Sequence, residues 1–301
     1  MKNYLIISLL FLSLGYSQKE YNINDLIDMD NGLWTIKFSD EPITGKVYGY
    51  FGEEGNLKKV YMGKLLNGRS EGKFVDYYHS TGRKSLESYF KDGKRHGLHT
   101  SWYENGQKEY EGNFKDEKKD GLHTSWYENG QKKEEKNFKD DKLNGLWTEW
   151  YENGQKSKKF NYKDGEFDGR YTSWYENGQK ETEGNLKDGK KDGLITGWYE
   201  SGKKKLEKNF KDDKLNGLWT EWYENGQMLS KRIYKDGEFD GLITEWYENG
   251  KKSGEINFKN GKKDGLTTLW YENGKKEYEG NFKNDKLISS KKWNEDGSVK
   301  E

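Results

Sequence analysis

The chain has 301 residues, of which 30% are hydrophobic, 35% charged and 16% aromatic, and its mean hydropathy is -1.30. The 53 basic and 53 acidic residues cancel, which removes any strong electrostatic case for nucleic acid or an anionic membrane as a partner. Because cysteine is absent, disulfides, thiolate metal sites and thiol nucleophiles are excluded. Low apolar content with high charge is typical of disorder, but 12 Trp, 22 Tyr and 13 Phe favour a thin structure that packs rings against its neighbours.

The first residues are typical of a secretory signal peptide. Lys2 supplies a short basic region, and Leu5 to Leu14 is an apolar run that is too short to span a bilayer well. Gly15 and Ser17 are the small residues expected before a cleavage site that follows Ser17. Residues 1–17 are therefore predicted to be a signal peptide, and the mature protein to be secreted or to lie in the periplasm or cell envelope. The alternative is a buried N-terminal strand or helix.

The next part of the chain is less regular than the remainder. Residues 18–44 show no repeat and are predicted to form an N-terminal capping segment. Residues 45–96 contain two divergent copies of a unit that becomes regular further on, with Tyr50-Phe51 and Tyr77-Tyr78 in place of its central Trp-Tyr pair.

Residues 97–288 consist of eight copies of a 24-residue unit. The unit reads G-L-x-T-x-W-Y-E-N-G-Q-K, followed by a polar stretch, an aromatic residue such as Phe114, and a connection rich in Lys and Asp. Residues 289–301 make half a repeat and are predicted to be a C-terminal cap, because the end units of an array must face water. The tryptophan of each unit recurs at the same spacing, as Trp102, Trp126, Trp150, Trp174, Trp198, Trp222, Trp246 and Trp270.

Each unit predicts a β-hairpin. Its first strand, for example Leu98 to Glu104, alternates its side chains and is rich in Thr, Trp and Tyr. Asn105-Gly106 is a strong signal for a two-residue type I′ turn, and the second strand runs from about Gln107 to Lys115. The predicted fold is all-β, an elongated single-layer antiparallel sheet of tandem 24-residue β-hairpin repeats.

The two-residue turn also predicts which side chains lie opposite each other. Trp102 faces Glu109 and Gly97 faces Phe114, whereas a three- or five-residue loop would turn the second strand over. Strands in a sheet lie about 4.8 Å apart, so tryptophans of successive units are about 10 Å apart. They are expected to form a ladder with other side chains between them, and not a continuous stack.

The unit resembles the MORN repeat, in the variant form common in bacterial proteins. The residues that carry the resemblance are Trp-Tyr-Glu-Asn-Gly-Gln-Lys, as at Trp126 to Lys132, and Lys-Asp-Gly-Lys-Lys-Asp-Gly, as at Lys187 to Gly193. The resemblance covers roughly Asn31 to Glu301 and implies a twisted antiparallel sheet of successive hairpins. It also implies binding or scaffolding through protein partners or self-association. Some bacterial relatives are labelled antitoxins, which fits poorly with a secretion signal.

The sequence contains no catalytic, cofactor-binding or metal-binding pattern, so no enzymatic activity and no cofactor are predicted. His99 and His123 occupy a position that holds Trp147 in another copy, which indicates packing. Asp164 to Gly169 alternates acidic residues before a glycine, but an EF-hand loop also needs a bidentate carboxylate at its twelfth position, where Tyr175 stands.

The tryptophan ladder is the candidate binding feature. Its rings either hold the thin sheet together through cross-strand contacts or also stack on sugars or hold a partner's side chains. The charges beside the ladder are mixed, since Glu135 and Glu183 are acidic while Lys159 and Lys231 at the equivalent position are basic. Three functions remain open: a secreted scaffold for protein binding or self-association, a glycan- or envelope-binding module, and an antitoxin or immunity-type protein. No transmembrane segment is predicted after the signal, and contact with membrane lipid is not expected.

Overall fold

The structure, a computed structural model, describes residues 19–29, 33–37, 39–52 and 54–300. The predicted signal peptide, residues 1–17, lies outside these residues. The chain divides into two units: the N-terminal unit ends at Gly106 and includes Phe114–Glu117, and the C-terminal unit contains Gln107–Asn113 and continues from Lys118. Among the described residues no helix is long and apolar enough to cross a bilayer.

The N-terminal unit is a sheet of consecutive strands with a smaller sheet beside it. Strands β4 to β8 pair antiparallel with their neighbours in the chain, while β1 adds to β4 in parallel. Strands β2 and β3 form a separate antiparallel pair, preceded by a short 3-10 helix at Ile23–Asp25. The bounds are β1 Glu20–Asn22, β2 Leu26–Met29, β3 Leu33–Ile36, β4 Gly45–Phe51, β5 Lys58–Leu66, β6 Arg69–Tyr77, β7 Lys84–Lys91 and β8 Lys94–Trp102.

A hydrophobic core lies between these two sheets. Every second side chain of β4 points inward, including Val47 and Phe51, and Met62 and Leu65 of β5 join them. Leu26 of β2 completes the contact from the smaller sheet. At this end the predicted single layer is therefore covered by a second layer, which buries the apolar face that the first strands of an array would otherwise expose.

The C-terminal unit is a row of antiparallel hairpins that succeed one another in chain order. Strand β9, Lys108–Lys115, belongs in part to each unit. The predicted sheet of tandem β-hairpins is confirmed. The bounds are β10 Lys118–Trp126, β11 Lys132–Lys139, β12 Lys142–Trp150, β13 Lys156–Lys163, β14 Glu166–Phe167, β15 Gly169–Trp174, β16 Lys180–Lys187, β17 Lys190–Lys191, β18 Gly193–Trp198, β19 Lys204–Lys211, β20 Lys214–Trp222, β21 Met228–Lys235, β22 Glu238–Phe239, β23 Gly241–Trp246, β24 Lys252–Lys259, β25 Lys262–Trp270, β26 Lys276–Lys283 and β27 Lys286–Lys292.

The turn at the Asn-Gly sequence is not the predicted two-residue turn. Between β10 and β11 the amide of Tyr127 donates to the carbonyl oxygen of Gln131 at 2.9 Å, which encloses the three residues Glu128, Asn129 and Gly130. Gly130 has a φ of +84°, whereas the φ of Asn129 is not positive. The Oδ1 atom of Asn129 accepts a hydrogen bond from the amide of Gln131 at 2.8 Å. Such a side-chain hydrogen bond stabilises the loop. Asparagine is therefore favoured here because its side chain accepts this bond, and glycine because it adopts the positive φ angle.

A β-bulge beside the turn restores the predicted register over the rest of the hairpin. Trp126 lies opposite Lys132, one residue nearer to the turn than predicted, so the predicted partner of this tryptophan is wrong. The register then shifts by one residue between Ser125 and Trp126, and further along Gly121 lies opposite Phe138, as predicted. Because the three-residue loop and the one-residue bulge cancel, the side chains beyond the bulge keep their predicted faces.

The two-residue turn occurs instead in the connection between units. Lys139 lies opposite Lys142, and the residues between them, Asp140 and Asp141, have φ angles of +49° and +65°, as a type I′ turn requires. The side chain of Asp141 also accepts a hydrogen bond from the amide of Lys119 in the preceding connection at 2.8 Å. The same pair of positive φ angles occurs at residues 92–93, 116–117, 164–165, 188–189, 212–213, 236–237, 260–261 and 284–285.

Candidate functional site

Alternation along the strands gives the repeats of the C-terminal unit two different faces. The face that carries Trp147, Tyr162 and their equivalents is called the ring face below. The opposite face, called the ladder face, carries the predicted tryptophan ladder together with Thr124, Glu135 and their equivalents.

The ring face is where the repeats pack their aromatic side chains. The ring of Trp147 lies 5.6 Å from the rings of Phe160 and Tyr162, and Trp219 lies 5.6 Å from Tyr234. Both tyrosines are buried. Ring contacts at such distances stabilise a sheet beyond the area that they bury. This face therefore supplies most of the packing between neighbouring repeats.

The histidine position predicted to be a packing position lies on the same face. His123 is 3% exposed, and its ring lies 4.9 Å from that of Phe138. Its Nε2 atom is 2.8 Å from the carbonyl oxygen of Asn113. In the N-terminal unit the ring of His99 lies 5.6 Å from that of Phe114, and burial lowers the pKa of His99. Both side chains are placed as members of the packed layer.

The tryptophans of the predicted ladder end the first strand of each hairpin, and all eight are half-buried. Several are covered by a lysine of the preceding hairpin, and this lysine also pairs with the glutamate three residues after it. Lys180, for example, lies 5.4 Å from the ring centroid of Trp198 and 2.5 Å from Glu183. The same cation–ring contact joins Lys84 to Trp102, Lys108 to Trp126, Lys132 to Trp150 and Lys204 to Trp222, at 5.5 to 5.8 Å for the first three and 5.9 Å for the last.

The Tyr and Asn that come after each tryptophan join successive repeats. The hydroxyl of Tyr127 donates to the main-chain oxygen of Trp150 at 2.9 Å, and Nδ2 of Asn129 donates to the main-chain oxygen of Glu152 at 2.9 Å. Hydrogen bonds between neighbouring turns thus account for the recurring Tyr and Asn of Trp-Tyr-Glu-Asn-Gly, in which Ser201 is the one departure from Asn among the eight regular repeats. Equivalent hydroxyl bonds of 2.7–2.9 Å are made by Tyr151, Tyr175, Tyr199, Tyr223, Tyr247 and Tyr271.

We expect the buried tyrosines to make the C-terminal unit sensitive to alkaline pH. Burial, with a smaller contribution from Glu152, raises the pKa of Tyr127, and burial raises the pKa of Tyr162 to about 12. A tyrosine whose pKa is higher in the folded than in the unfolded state stabilises the fold below about pH 10, and this contribution is lost as the pH rises toward 12. Urea unfolding followed by circular dichroism should show falling stability between these values. Unchanged stability while tyrosinate absorbance appears would contradict the expectation.

The residues at which adjacent units differ follow a longer period of three units, which the single-unit pattern did not reveal. The sequence Lys-Leu-Asn-Gly-Leu-Trp-Thr-Glu-Trp of β12 recurs without change in β20. The period places Trp147 and Trp219 at equivalent points of the ring face, and Lys159 and Lys231 at equivalent points of the ladder face. Comparing each unit with the third unit after it, and not with the next one, would have shown this period.

The fold and its repeated contacts define a tandem-repeat protein in which each hairpin is joined to its neighbours by ring packing, turn hydrogen bonds and strand pairing. The chain belongs to the MORN repeat variant family, whose model matches eight consecutive segments and confirms the resemblance. A search of the curated proteins found no match. The matched segments are residues 95–116, 119–140, 143–164, 167–188, 191–212, 215–236, 239–260 and 263–284.

Proposed function

We propose that the protein is a secreted, non-enzymatic scaffold that binds a protein partner along the ladder face of its repeats. The observation that supports this proposal is a row of exposed leucines beside the tryptophan ladder, one in nearly every repeat. The fold leaves these side chains exposed, each opposite a second-strand residue such as Asn137 or Asn161, and exposed apolar surface rimmed by polar residues commonly marks an interaction site. Within the C-terminal unit the row consists of Leu122, Leu146, Leu194, Leu218, Leu242 and Leu266, which are 38% to 47% exposed.

The spacing of this row suits an extended or repeated partner. Within the C-terminal unit equivalent leucines recur about 10 Å apart, since each hairpin adds two strands. Half-buried tryptophans beside them supply the residue type that contributes most often to interface energy. Weak contacts repeated at a fixed spacing bind with high avidity, so affinity should rise with the number of repeats engaged.

The test is a cross-linking pull-down from the cell envelope, after fractionation and mass spectrometry of the N-terminus. We expect a mature chain that begins at Gln18, and a captured partner that is lost in a triple Leu122→Ser, Leu194→Ser, Leu266→Ser variant. A matched control is Leu287→Ser, because this leucine is 52% exposed on β27 and lies outside the row. Uncleaved protein in the cytoplasm would contradict secretion. Equal capture by the triple variant would remove the leucine row as the binding surface.

A further inference from the structure

Along the middle of the ladder face, threonines alternate with one charged residue per repeat. Thr124 lies opposite Glu135, which in turn lies opposite Thr148, and the pattern continues from strand to strand through the C-terminal unit. Each glutamate of this row pairs with the lysine three residues before it. The pairs are Lys132 with Glu135, Lys180 with Glu183, Lys204 with Glu207, Lys252 with Glu255 and Lys276 with Glu279.

The row reverses its charge at Lys159. This lysine lies between Thr148 and Thr172, both buried, in the place that a glutamate takes in most other repeats. The lysine three residues before it, Lys156, consequently has a cation where its equivalents have a carboxylate. Within residues 54–300, which the structure describes without a gap, neither Lys156 nor Lys159 makes an ion pair.

A shallow depression of about 430 Å³ lies beside Lys159 on the ladder face. Its lining includes the cations Lys156, Lys159, Arg170 and Lys180, and one carboxylate, that of Glu183. Arg170 and Lys180 both bind this carboxylate. The lining thus holds four positive charges against one negative charge, in a protein whose net charge is zero.

The ring of Trp174 also lines this depression. In several other repeats a lysine Nζ covers the equivalent ring, but over the described range 54–300 no cation lies over Trp174. Lys156, the equivalent of the covering lysines, has no glutamate three residues after it and does not lie over the ring. The partly exposed indole therefore lines the depression beside a cluster of cations.

The second charge reversal, three units further on at Lys231, is an internal comparison that lacks these features. The position of Lys156 is taken there by Met228, and that of Arg170 by Leu242. Two of the four cations are therefore missing, although the equivalent tryptophan, Trp246, is retained. The cluster beside Trp174 does not arise from the repeat pattern but is specific to one site.

We propose that the depression beside Trp174 binds a uronic acid residue of an acidic polysaccharide. The apolar face of a pyranose ring would stack on the indole, and the sugar carboxylate would bind Lys156 and Lys159, whose charges are not neutralised by the protein. Charge-assisted hydrogen bonds to a carboxylate are about twice as strong as neutral ones. This site goes beyond the proposed protein scaffold, because it lies in the one regular repeat whose exposed leucine is replaced by Arg170.

The variant that tests the site is Lys159→Glu, because it restores the lysine–glutamate pair of the other repeats and should fold well. Lys231→Glu makes the same change of charge at the equivalent position and is the matched control. Binding of an oligogalacturonate to the full mature chain, measured by calorimetry, should weaken about tenfold or more in Lys159→Glu, as expected for loss of one charge-assisted bond. Lys231→Glu should bind as the parent does.

Two further probes distinguish a sugar site from a general anion site. A neutral oligosaccharide of equal length should bind at least about tenfold more weakly than the oligogalacturonate. Polyglutamate carries the same carboxylates without rings, so it should also bind more weakly and should not respond to Trp174→Ala, whereas oligogalacturonate binding should. Equal binding of polyglutamate, or equal losses in Lys159→Glu and Lys231→Glu, would overturn the proposal. Neither result would affect the capture assay that tests the leucine row.

Discussion

Deleting residues 169–191, one residue short of a whole unit, is expected to unfold the repeats around the junction, whereas deleting the whole unit, residues 169–192, is expected to leave them folded. Successive side chains of a strand point to opposite faces. A slip by one residue therefore moves the side chains of the ring face, such as those at the position of Tyr171 in each repeat, to the ladder face. Removing the whole unit joins Asp168 to Gly193. This junction is sound because the amides of Asp168 and Asp192 make the same bond, to the carbonyl oxygens of Asn161 and Asn185.

Deletion of three whole units, residues 145–216, should also leave the remaining repeats folded, with a junction closer to the native sequence. It joins Lys-Leu-Asn, at residues 142–144, to Gly217, and the same three residues precede Gly217 in the parent chain. The strand before the junction differs between the two sites mainly by Glu134 in place of Leu206. The contacts of β11 with β12 are therefore reproduced by β11 with β20, while the single-unit deletion places β18 next to β13 in place of β15.

Urea unfolding followed by tryptophan fluorescence measures all three deletions. Because the stability of an array is close to a sum of unit and interface terms, the one-unit deletion should lower the transition midpoint least, the three-unit deletion should lower it further, and the deletion that is one residue short should lower it most for its size. A chain that tolerates this short deletion but unfolds after removal of the whole unit would contradict the hairpin array.

The fold of the repeats could be predicted because each unit carries its own local signals. Alternating Thr, Trp and Tyr define a strand, and glycines at fixed spacing define turns. The type of turn could not be predicted, since Asn129-Gly130 and Asp164-Gly165 are both sequences that favour a type I′ turn. The two differ in their wider hydrogen-bond pattern: Nδ2 of Asn129 reaches the next repeat, and this contact is not local in sequence.

The N-terminal unit was less predictable for a related physical reason. Leu26, Val47 and Met62 meet in one core although they are far apart in sequence and belong to no repeat. No period reveals that β2 and β3 fold over the sheet. Residues 18–44 are predicted to be a capping segment from their position alone, and the second layer that β2 and β3 form depends on packing that only the structure shows.

The repeat spacing predicts where each tryptophan of the ladder lies in the fold, but not which side chains surround it. The repeat spacing identifies Trp174 and Trp198 as equivalent. It does not show that Lys180 crosses from the preceding hairpin to cover Trp198, because that contact depends on the offset between neighbouring hairpins. The exposed leucine row was missed for the same reason. A leucine in the first strand of each hairpin would ordinarily be expected to be buried. Only the pairing of the strands shows that it lies on the ladder face, where it remains exposed.

Replacing Trp219 by alanine is expected to destabilise the protein far more than replacing Trp222, although only Trp222 belongs to the invariant ladder. The ring of Trp219 lies 5.6 Å from that of Tyr234 and is covered by Lys208, whose Nζ is 3.9 Å from its centroid. Trp219 is partly buried, and its removal loses these ring contacts and exposes the buried Tyr234, which should cost about 3 kcal/mol. The bond from Tyr199 ends on the main-chain oxygen of Trp222, so alanine retains it, and the loss there should be about 1–2 kcal/mol.

The variant Trp219→Phe separates ring packing from the indole N–H group. Among the described residues the Nε1 atom of Trp219 is buried without a hydrogen-bond partner. A buried donor without a partner costs about 1–3 kcal/mol, so phenylalanine removes this cost while it keeps much of the ring contact. Trp219→Phe should therefore be much less destabilising than Trp219→Ala. Hydrogen exchange should show that the damage from Trp219→Ala is concentrated in the adjacent hairpins, as expected when each repeat contacts chiefly its neighbours. Equal destabilisation by Trp219→Ala and Trp222→Ala would contradict the expectation that the ring face supplies more of the packing than the ladder face.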